Sequence, residues 1–384
     1  MKRRMAMLLA AALAFSLTAC GSSDSSSDAA DTAADAESEE DAQSGEDGES
    51  TDASGEDASE EAGDEDTVQD DAGEGSVVYL TNVSYDPTRE FYQQYNELFA
   101  EYYYEETGIT VEVTQSHGGS GSQARSVIEG NDADVVTLAL AHDITLIEEA
   151  GMIEEGWIDE FDSNSSPYTS TIVFLVRSGN EKDIQDWDDL IKEGVDVITP
   201  DPKSSGGACW NFLAAWYYAD LTLDGDEEAI KEFVSALYDN VLVMDSGARG
   251  ATTTFVENGQ GDVLIAWENE ALLALEEYPG EFEMITPSIS ILAEPSVAIV
   301  DENVAANGTE EVARAYLEFL YTDEAQRLAG DNYYRPGNEE ILAEFADTFD
   351  LNIELCTIDD FGGWDQAYED FFEDDAIFDE IYNG

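Results

Sequence analysis

This 384-residue sequence predicts an α/β fold with two lobes and mixed, mostly parallel sheets. Three observations predict it. From Val77 onward, short apolar runs alternate with helix-length amphipathic runs, the pattern of strands covered by helices. Three of the apolar runs end in a Ser/Gly loop that opens a helix: Ser116-His117-Gly118-Gly119-Ser120-Gly121, Ser204-Ser205-Gly206-Gly207 and Ser246-Gly247-Ala248-Arg249-Gly250. Residues 76–384 also suit two lobes better than a single hydrophobic core.

Taken in order, residues 77–80 read as a strand. Asp86-Pro87 is an N-cap and first-turn pair opening a helix to about Glu106. A strand at 109–114 runs into the first loop, and a helix at 122–129 leaves it. Residues 134–140 form the next strand, and Asp143 caps a short helix ending at Gly151. Residues 168–177 are extended. Further strands lie at 195–199, 241–244, 263–266 and 296–300. Helices are expected at 208–219, 227–238, 251–257, 310–321 and 324–328. The lobes are expected at about 76–166 with 288–384, and about 167–287.

The first 75 residues are of another kind. Lys2, Arg3 and Arg4 precede an apolar stretch over residues 5–17, the pattern of an export signal at 1–20, and too short for a spanning helix. It ends in Leu17-Thr18-Ala19-Cys20-Gly21, which resembles a bacterial lipobox, so Cys20 is the expected site of lipidation and membrane anchoring. Residues 21–75 hold 22 acidic side chains, no Lys or Arg, and Val68 as the one large apolar residue. Such a segment cannot bury enough surface to offset its ordering, and reads as a disordered acidic tether.

The formal charge is −75, and residues 76–384 alone carry 67 acidic against 11 basic side chains. Such a surface repels nucleic acid and anionic membranes, so neither is an expected partner beyond the lipid anchor. It also disfavours bulk attraction of an anion, so any anion site must act through local dipoles. Three cysteines are too few for a disulfide scaffold, and Cys209 and Cys356 could pair or remain free.

The loops carry the chemistry. A helix start has N–H groups without intrahelical acceptors and a partial positive charge, and glycine lets a ligand approach them. Three such starts converging would bind a small, multiply charged oxyanion. For a single loop, turn geometry alone would explain the Ser and Gly; three of one form, each at a strand's carboxyl end, favour a site. None matches a nucleotide-binding pattern. Ser116-His117-Gly118-Gly119 is similar to an esterase oxyanion loop, but only His117 and His142 exist and no Gly-x-Ser-x-Gly follows, so a hydrolase lacks its base and nucleophile. Two histidines also leave no transition-metal site, and no metal or cofactor is expected. Trp267, at the end of the strand 263–266, offers an indole N–H that only donates, although a plain core or rim Trp fits the pattern equally well. Arg249 could touch the anion or sit behind the third loop. Cys209 follows the second loop and reads as a structural thiol.

These residues resemble the sulfate-binding proteins of bacterial sulfate/thiosulfate ABC importers. The resemblance rests on residues 82–90, Gln115 to Gly121, Pro202 to Ala208, Asp245 to Thr252, 261–272, Ile291-Leu292-Ala293-Glu294-Pro295, Tyr334-Arg335-Pro336 and Phe361-Gly362-Gly363-Trp364, in order across about 78–382. It implies a two-lobed type II periplasmic-binding-protein-like fold with a hinge, closing on dehydrated sulfate held by uncharged donors. Carried over by motif, these are the N–H of Ser120, the hydroxyl and backbone of Ser205, the N–H groups of Gly206, Gly207 and Ala248, and the indole of Trp267. Asp86, His117, Asp143 and Arg249 are implied as supporting groups behind them. One departure stands out: the family usually has Arg after Gly-Gly-Ala, where this chain has Cys209, which bears on binding strength.

The resemblance implies no enzymatic activity, a monomer, and importer membrane subunits as partners. Thiosulfate is a rival ligand. A secreted Ser/His hydrolase, or a sensor of molybdate or phosphate signalling to a membrane partner, are the alternative readings.

Overall fold

A computed structural model describes residues 76–383. The expected signal, Cys20 and the acidic tether lie outside the described residues. The elements in chain order are β1 (Val77–Tyr85), α1 (Arg89–Thr107), β2 (Thr110–Gly118), α2 (Ser120–Ile128), β3 (Val135–Leu138) and α3 (Ala141–Glu149). The turn α4 (Asp162–Ser165) and the short β4 (Tyr168–Thr169) lead to β5 (Ile172–Arg177). Then come β6 (Val197–Pro200), α5 (Gly206–Thr222), α6 (Glu227–Asp239), β7 (Val241–Asp245), α7 (Ala248–Val256), β8 (Val263–Trp267), α8 (Glu268–Glu277) and β9 (Phe282–Ile285). The chain closes with β10 (Ile289–Ile291), β11 (Ser296–Ile299), α9 (Asp301–Asn307), α10 (Glu310–Phe319), α11 (Asp323–Asp331), β12 (Arg335–Pro336), α12 (Glu339–Leu342), β13 (Glu354–Cys356), α13 (Trp364–Phe371) and α14 (Ile377–Asn383).

Two mixed sheets result. The first has the order β11-β3-β1-β2, with β1 parallel to both neighbours and β11 antiparallel to β3. The second has the order β7-β6-β8-β5-β9, with β6 parallel to β7 and β8, and β5 antiparallel to β8 and β9. The strands that read as continuous apolar runs, β3, β8 and most of β5, are buried on both faces. The chain crosses between the sheets twice side by side: Ser170 and Ala293 exchange backbone bonds of 2.9 Å each way, one on the way into the second sheet and one on the way back.

Each sheet has its own aromatic core. Phe91, Tyr92, Tyr95 and Phe99 lie at helical spacing on α1; the last three meet Tyr316 or Phe319 of α10, and Phe91 meets Tyr168 and Tyr334. Helix α5 is apolar on nearly every side and is buried from Gly206 to Ala215. The sequence pattern places residues 288–384 with the first lobe; the structure instead packs the last part of the chain on elements of the second sheet. Trp364 meets Trp210 edge-on at 4.6 Å, Phe371 meets Trp216 at 4.9 Å, and Phe378 meets Phe212, because this aromatic stripe finds its apolar partners on α5. β10 pairs with β13 beside it.

Several boundaries shift from expectation. Tyr85 is the N-cap of a short 3₁₀ turn at Asp86–Thr88, and the Asp86 side chain makes no capping bond. Asp143 is the third residue of α3 and caps nothing, since its carboxylate is engaged elsewhere. The extended 168–177 run divides into β4 and β5.

Immediately after β8, the buried Glu268 accepts two bonds from Arg335, at 2.6 and 2.9 Å. Removing one partner of such a pair strands a buried charge, at about 3–5 kcal/mol. Arg335→Met alone is therefore expected to lower the unfolding free energy by that amount in urea titrations, and Arg335→Met with Glu268→Leu to recover most of it.

Candidate anion-binding site

The three loops are set by their strands. β2 runs as far as Gly118, because the parallel register pairs Ser84 with His117 and Tyr85 with Gly118. The first loop thus shrinks to Gly119, the N-cap of α2. Ser205 is the N-cap of α5 after β6, and Gly247 the N-cap of α7 after β7. All three helices start at the carboxyl end of a parallel strand, the usual place for a ligand in such sheets.

The loops meet at van der Waals distance. A Cβ on Gly119 would overlap the carbonyl of Ser204 and reach that of Ser246 at 3.0 Å. One on Gly206 would lie 3.0 Å from the Cβ of Ser120, and one on Gly207 would lie 2.9 Å from Trp267 Nε1. One on Gly247 would overlap the carboxylate of Asp86. Ser204 Oγ donates to the Ser246 carbonyl at 3.0 Å, tying the second loop to the third. Between them is a cavity of about 10 Å³, lined by Ser120, Ser205, Gly207 and Ala248 with Tyr85, Asp86 and Gly119. That is far smaller than a pocket for a nucleotide or other drug-sized solute.

The backbone N–H groups of Ser120, Gly206, Gly207 and Ala248 have no acceptor among the described residues. The Ser205 N–H, expected beside them, donates instead to the Asp201 carbonyl at 2.9 Å, leaving the hydroxyl. Trp267 is buried, and its Nε1 donates to the Gly207 carbonyl at 3.3 Å; it stands behind the second loop, and neither it nor Gly206 lines the cavity.

The supporting groups divide by role. His117 bonds Ser84 Oγ through Nδ1 at 2.8 Å and Gln115 Oε1 through Nε2 at 3.2 Å. Burial, helped by the nearby Arg89, holds its pKa down at about 4, so it is neutral at pH 7. Arg249 reaches away from the loops, to Glu90 of α1 at 2.6 Å and to the buried Glu270 at 3.4 Å, so it sits behind the third loop. Burial raises the Glu270 carboxyl, and Arg249 opposes that. Asp143 is buried and accepts from Ser120 Oγ at 2.5 Å, while Ser120 Oγ accepts from the Ala139 N–H at 2.9 Å. Cys209 and Cys356 are both buried and unbridged, and burial pushes the Cys209 thiol well above its usual range. No group of three or more potential metal ligands exists among the described residues.

The model of the bacterial extracellular solute-binding proteins matches residues 88–335. The sulfate-binding protein of Escherichia coli K12 is 57% identical over 306 residues, covering 79% of this chain and 93% of that one. The chain belongs to this family. Within it, the thiosulfate-binding protein of Pseudomonas aeruginosa PAO1 is 46% identical over 307 residues, covering 79% of this chain and 92% of its own. The structure of the sulfate-binding protein SubI from Mycobacterium tuberculosis H37Rv superposes with a TM-score of 0.70 at 34% identity, over 77% of this chain and all of that one. The solute-binding fold explains why the loops of two separate sheets face one another: its ligands enter between lobes that hinge.

Asp86, implied as a supporting group, lines the cavity itself and caps no helix. Sequence reasoning missed two further features of this member of the family. Trp210 of α5 donates to the Ala139 carbonyl at 2.9 Å, joining the two halves beside the loops. Glu90 and Glu270 neutralise Arg249. The run Trp267-Glu268-Asn269-Glu270 was the available signal for the last of these, since acids directly after an apolar strand need partners.

Gly119 has an ordinary backbone conformation, so a methyl group there acts only by wedging the loops apart. Overpacking of this kind costs about 1–3 kcal/mol. Gly119→Ala is expected to keep its circular dichroism spectrum and to lose about one to two orders of magnitude in anion affinity by calorimetry.

Proposed function

We propose that the chain is an extracytoplasmic receptor that captures sulfate, or the related thiosulfate, between its lobes and delivers it to an ABC importer. The carrying observation is the set of unpartnered N–H donors at three helix starts: those of Ser120, Gly207 and Ala248, whose residues line one cavity, and that of Gly206 beside them. The Ser205 hydroxyl joins them, and Trp267 supplies its indole N–H once the second loop moves off it. The relatives are named for binding sulfate and thiosulfate, which supports this ligand class. Closure over the anion gives the importer a shape to read. Cys20 carries the lipid that holds the receptor at the membrane, with residues 21–75 as its tether; no helix of the described residues is long and apolar enough to cross a membrane.

The physical reason is the surplus of donors. Hydrogen bonds to an ionised group contribute about 1.5–3 kcal/mol each, so a handful can offset the desolvation of a dianion without a countercharge. A hydrolase has less support: His117 bonds Ser84, but Ser84 is fully buried and its hydroxyl also bonds Thr88 at 2.9 Å.

Thermal melts of the full chain, stripped of ligand by dialysis, test the ligand class. Sulfate or thiosulfate at 100 times Kd should add about 2.7 kcal/mol of stability, while phosphate at the same concentration should add almost none. No shift with either sulfur oxyanion would sink the proposal. Trp267→Phe keeps an aromatic side chain and removes the donor. It is expected to weaken sulfate binding about 10- to 100-fold, measured by calorimetry, the worth of one bond to a charged acceptor. An unchanged Kd would remove the indole from the site.

A further inference from the structure

We infer that the chain has a second binding site, a cavity of about 280 Å³ between α3, β11 and the segment 358–365, which takes a small organic cation: an ammonium or guanidinium group on a short apolar body. It shares no lining residue with the anion site. Two of the stretches that carry the family resemblance, 291–295 and 361–364, reach this cavity and take no part in the anion site.

The charge around the cavity is uncompensated. Glu294 is half-buried in its wall, and Asp359 and Asp365 line it from exposed positions. None of the three carboxylates has an ion pair or a hydrogen-bonded partner among the described residues, and no Lys or Arg lines the cavity. His142, also in the lining, does not offset them. Burial holds its imidazole below the usual range, with Asp365 opposing, so it stays neutral at pH 7. Exposed unpaired acids are ordinary in a domain with 67 acidic and 11 basic side chains. Glu294 differs because it is half-buried. Burial, and then the neighbouring Asp359, hold its carboxyl above the usual range, and a cation set beside it would relieve both.

The walls supply the rest of a site. Ser296 of β11 is only 3% exposed, and its hydroxyl has no partner among the described residues, although buried hydroxyls nearly always find one. The residue lines the cavity, so an occupant can satisfy it. Trp364, Ile158 and Ile358 provide the apolar part, and an aromatic face attracts a cation. Asn164 lines the cavity from a run of three non-glycine residues in left-handed backbone, Ser163, Asn164 and Ser165, at φ 57°, 56° and 54°. L-residues avoid that conformation. It holds here because Ser165 Oγ donates to the Trp157 carbonyl at 2.9 Å and accepts the Phe161 N–H at 3.3 Å. The volume lies near the lower end for small-molecule pockets. The carboxylates do not close on one point as metal ligands do, so an organic cation fits better than a bare metal ion. β11 belongs to the first sheet, and the segment 358–365 packs through Trp364 on α5 beside the second, so an occupant touches both halves.

The test is calorimetry of the full chain with benzylammonium as the probe, in about 0.15 M salt to screen general attraction to the acidic surface. Benzyl alcohol, which keeps the ring and lacks the charge, is the control. Saturable benzylammonium binding is expected at millimolar concentrations or below, about tenfold tighter than benzyl alcohol, the worth of one bond to a charged group. Glu294→Gln should weaken it about tenfold, and Asp359→Asn combined with Asp365→Asn, both at exposed positions, about two- to fivefold. Gly119→Ala, at the anion site, should leave it unchanged. No saturable binding, or equal affinity for benzyl alcohol, overturns the proposal. Binding that Glu294→Gln leaves unchanged lies elsewhere on the molecule and overturns it too, as does binding lost in Gly119→Ala. If Glu294→Gln fails to fold by circular dichroism, the Asp359→Asn and Asp365→Asn double variant decides: weaker binding supports the site, and unchanged binding overturns it.

Discussion

The contact on which the rest depends is backbone against backbone: Gly119 of the first loop seated on the carbonyls of Ser204 and Ser246. No side chain can intervene there. The approach brings three helix starts from two separate sheets within reach of one small ion, and it explains why Gly119 itself can carry no side chain. The sheets supply rigid rails, since each loop is pinned at the end of a parallel strand whose register cannot slip without turning its apolar face outward. The two halves meet along these loops, and the Ser170–Ala293 bridge pairs the two segments that cross between the sheets.

This contact also resolves an electrostatic contradiction. A domain with 67 acidic and 11 basic side chains is an unpromising partner for a dianion. Arg249, inside the third loop, does not help directly, because it is held by Glu90 and Glu270. What remains are fixed N–H dipoles, which act over a helix turn and are insensitive to the distant surface charge. Screening by salt weakens the general repulsion and leaves buried donors nearly untouched. The acidic surface therefore bears on encounter more than on retention.

Much of this was legible in the sequence. The alternation of strand and helix and the three loops follow from spacing and turn chemistry, and a count of histidines argues against a hydrolase. The Ser205 N–H was not legible, because its partner is a carbonyl four residues back, at Asp201, and backbone bonds of that kind leave no mark on side-chain identity. Asp86 was misread because Asp-Pro before an apolar run is a sound helix-start signal; here β1 continues to Tyr85 and turns the carboxylate toward Gly247. The last thirty residues were misplaced because an aromatic stripe states that it needs a partner without stating which, and α5 is apolar on nearly every side.

The run after β8 links these strands of the argument. Trp267 backs the second loop, Glu268 is clamped by Arg335, Asn269 donates to Tyr334 at 3.1 Å and toward the Pro87 carbonyl at 3.4 Å, and Glu270 takes Arg249 and Thr252. Four consecutive residues thus touch the second loop, the segment at 334–335, the turn beside Asp86 and the third loop. Both carboxylates are buried, so neither can swing free without losing its partner, at a cost of several kcal/mol. The second loop is thus coupled, through the Trp267 bond to Gly207, to a run whose neighbouring side chains are all held. The acids that look superfluous beside an anion site are what tie these elements together.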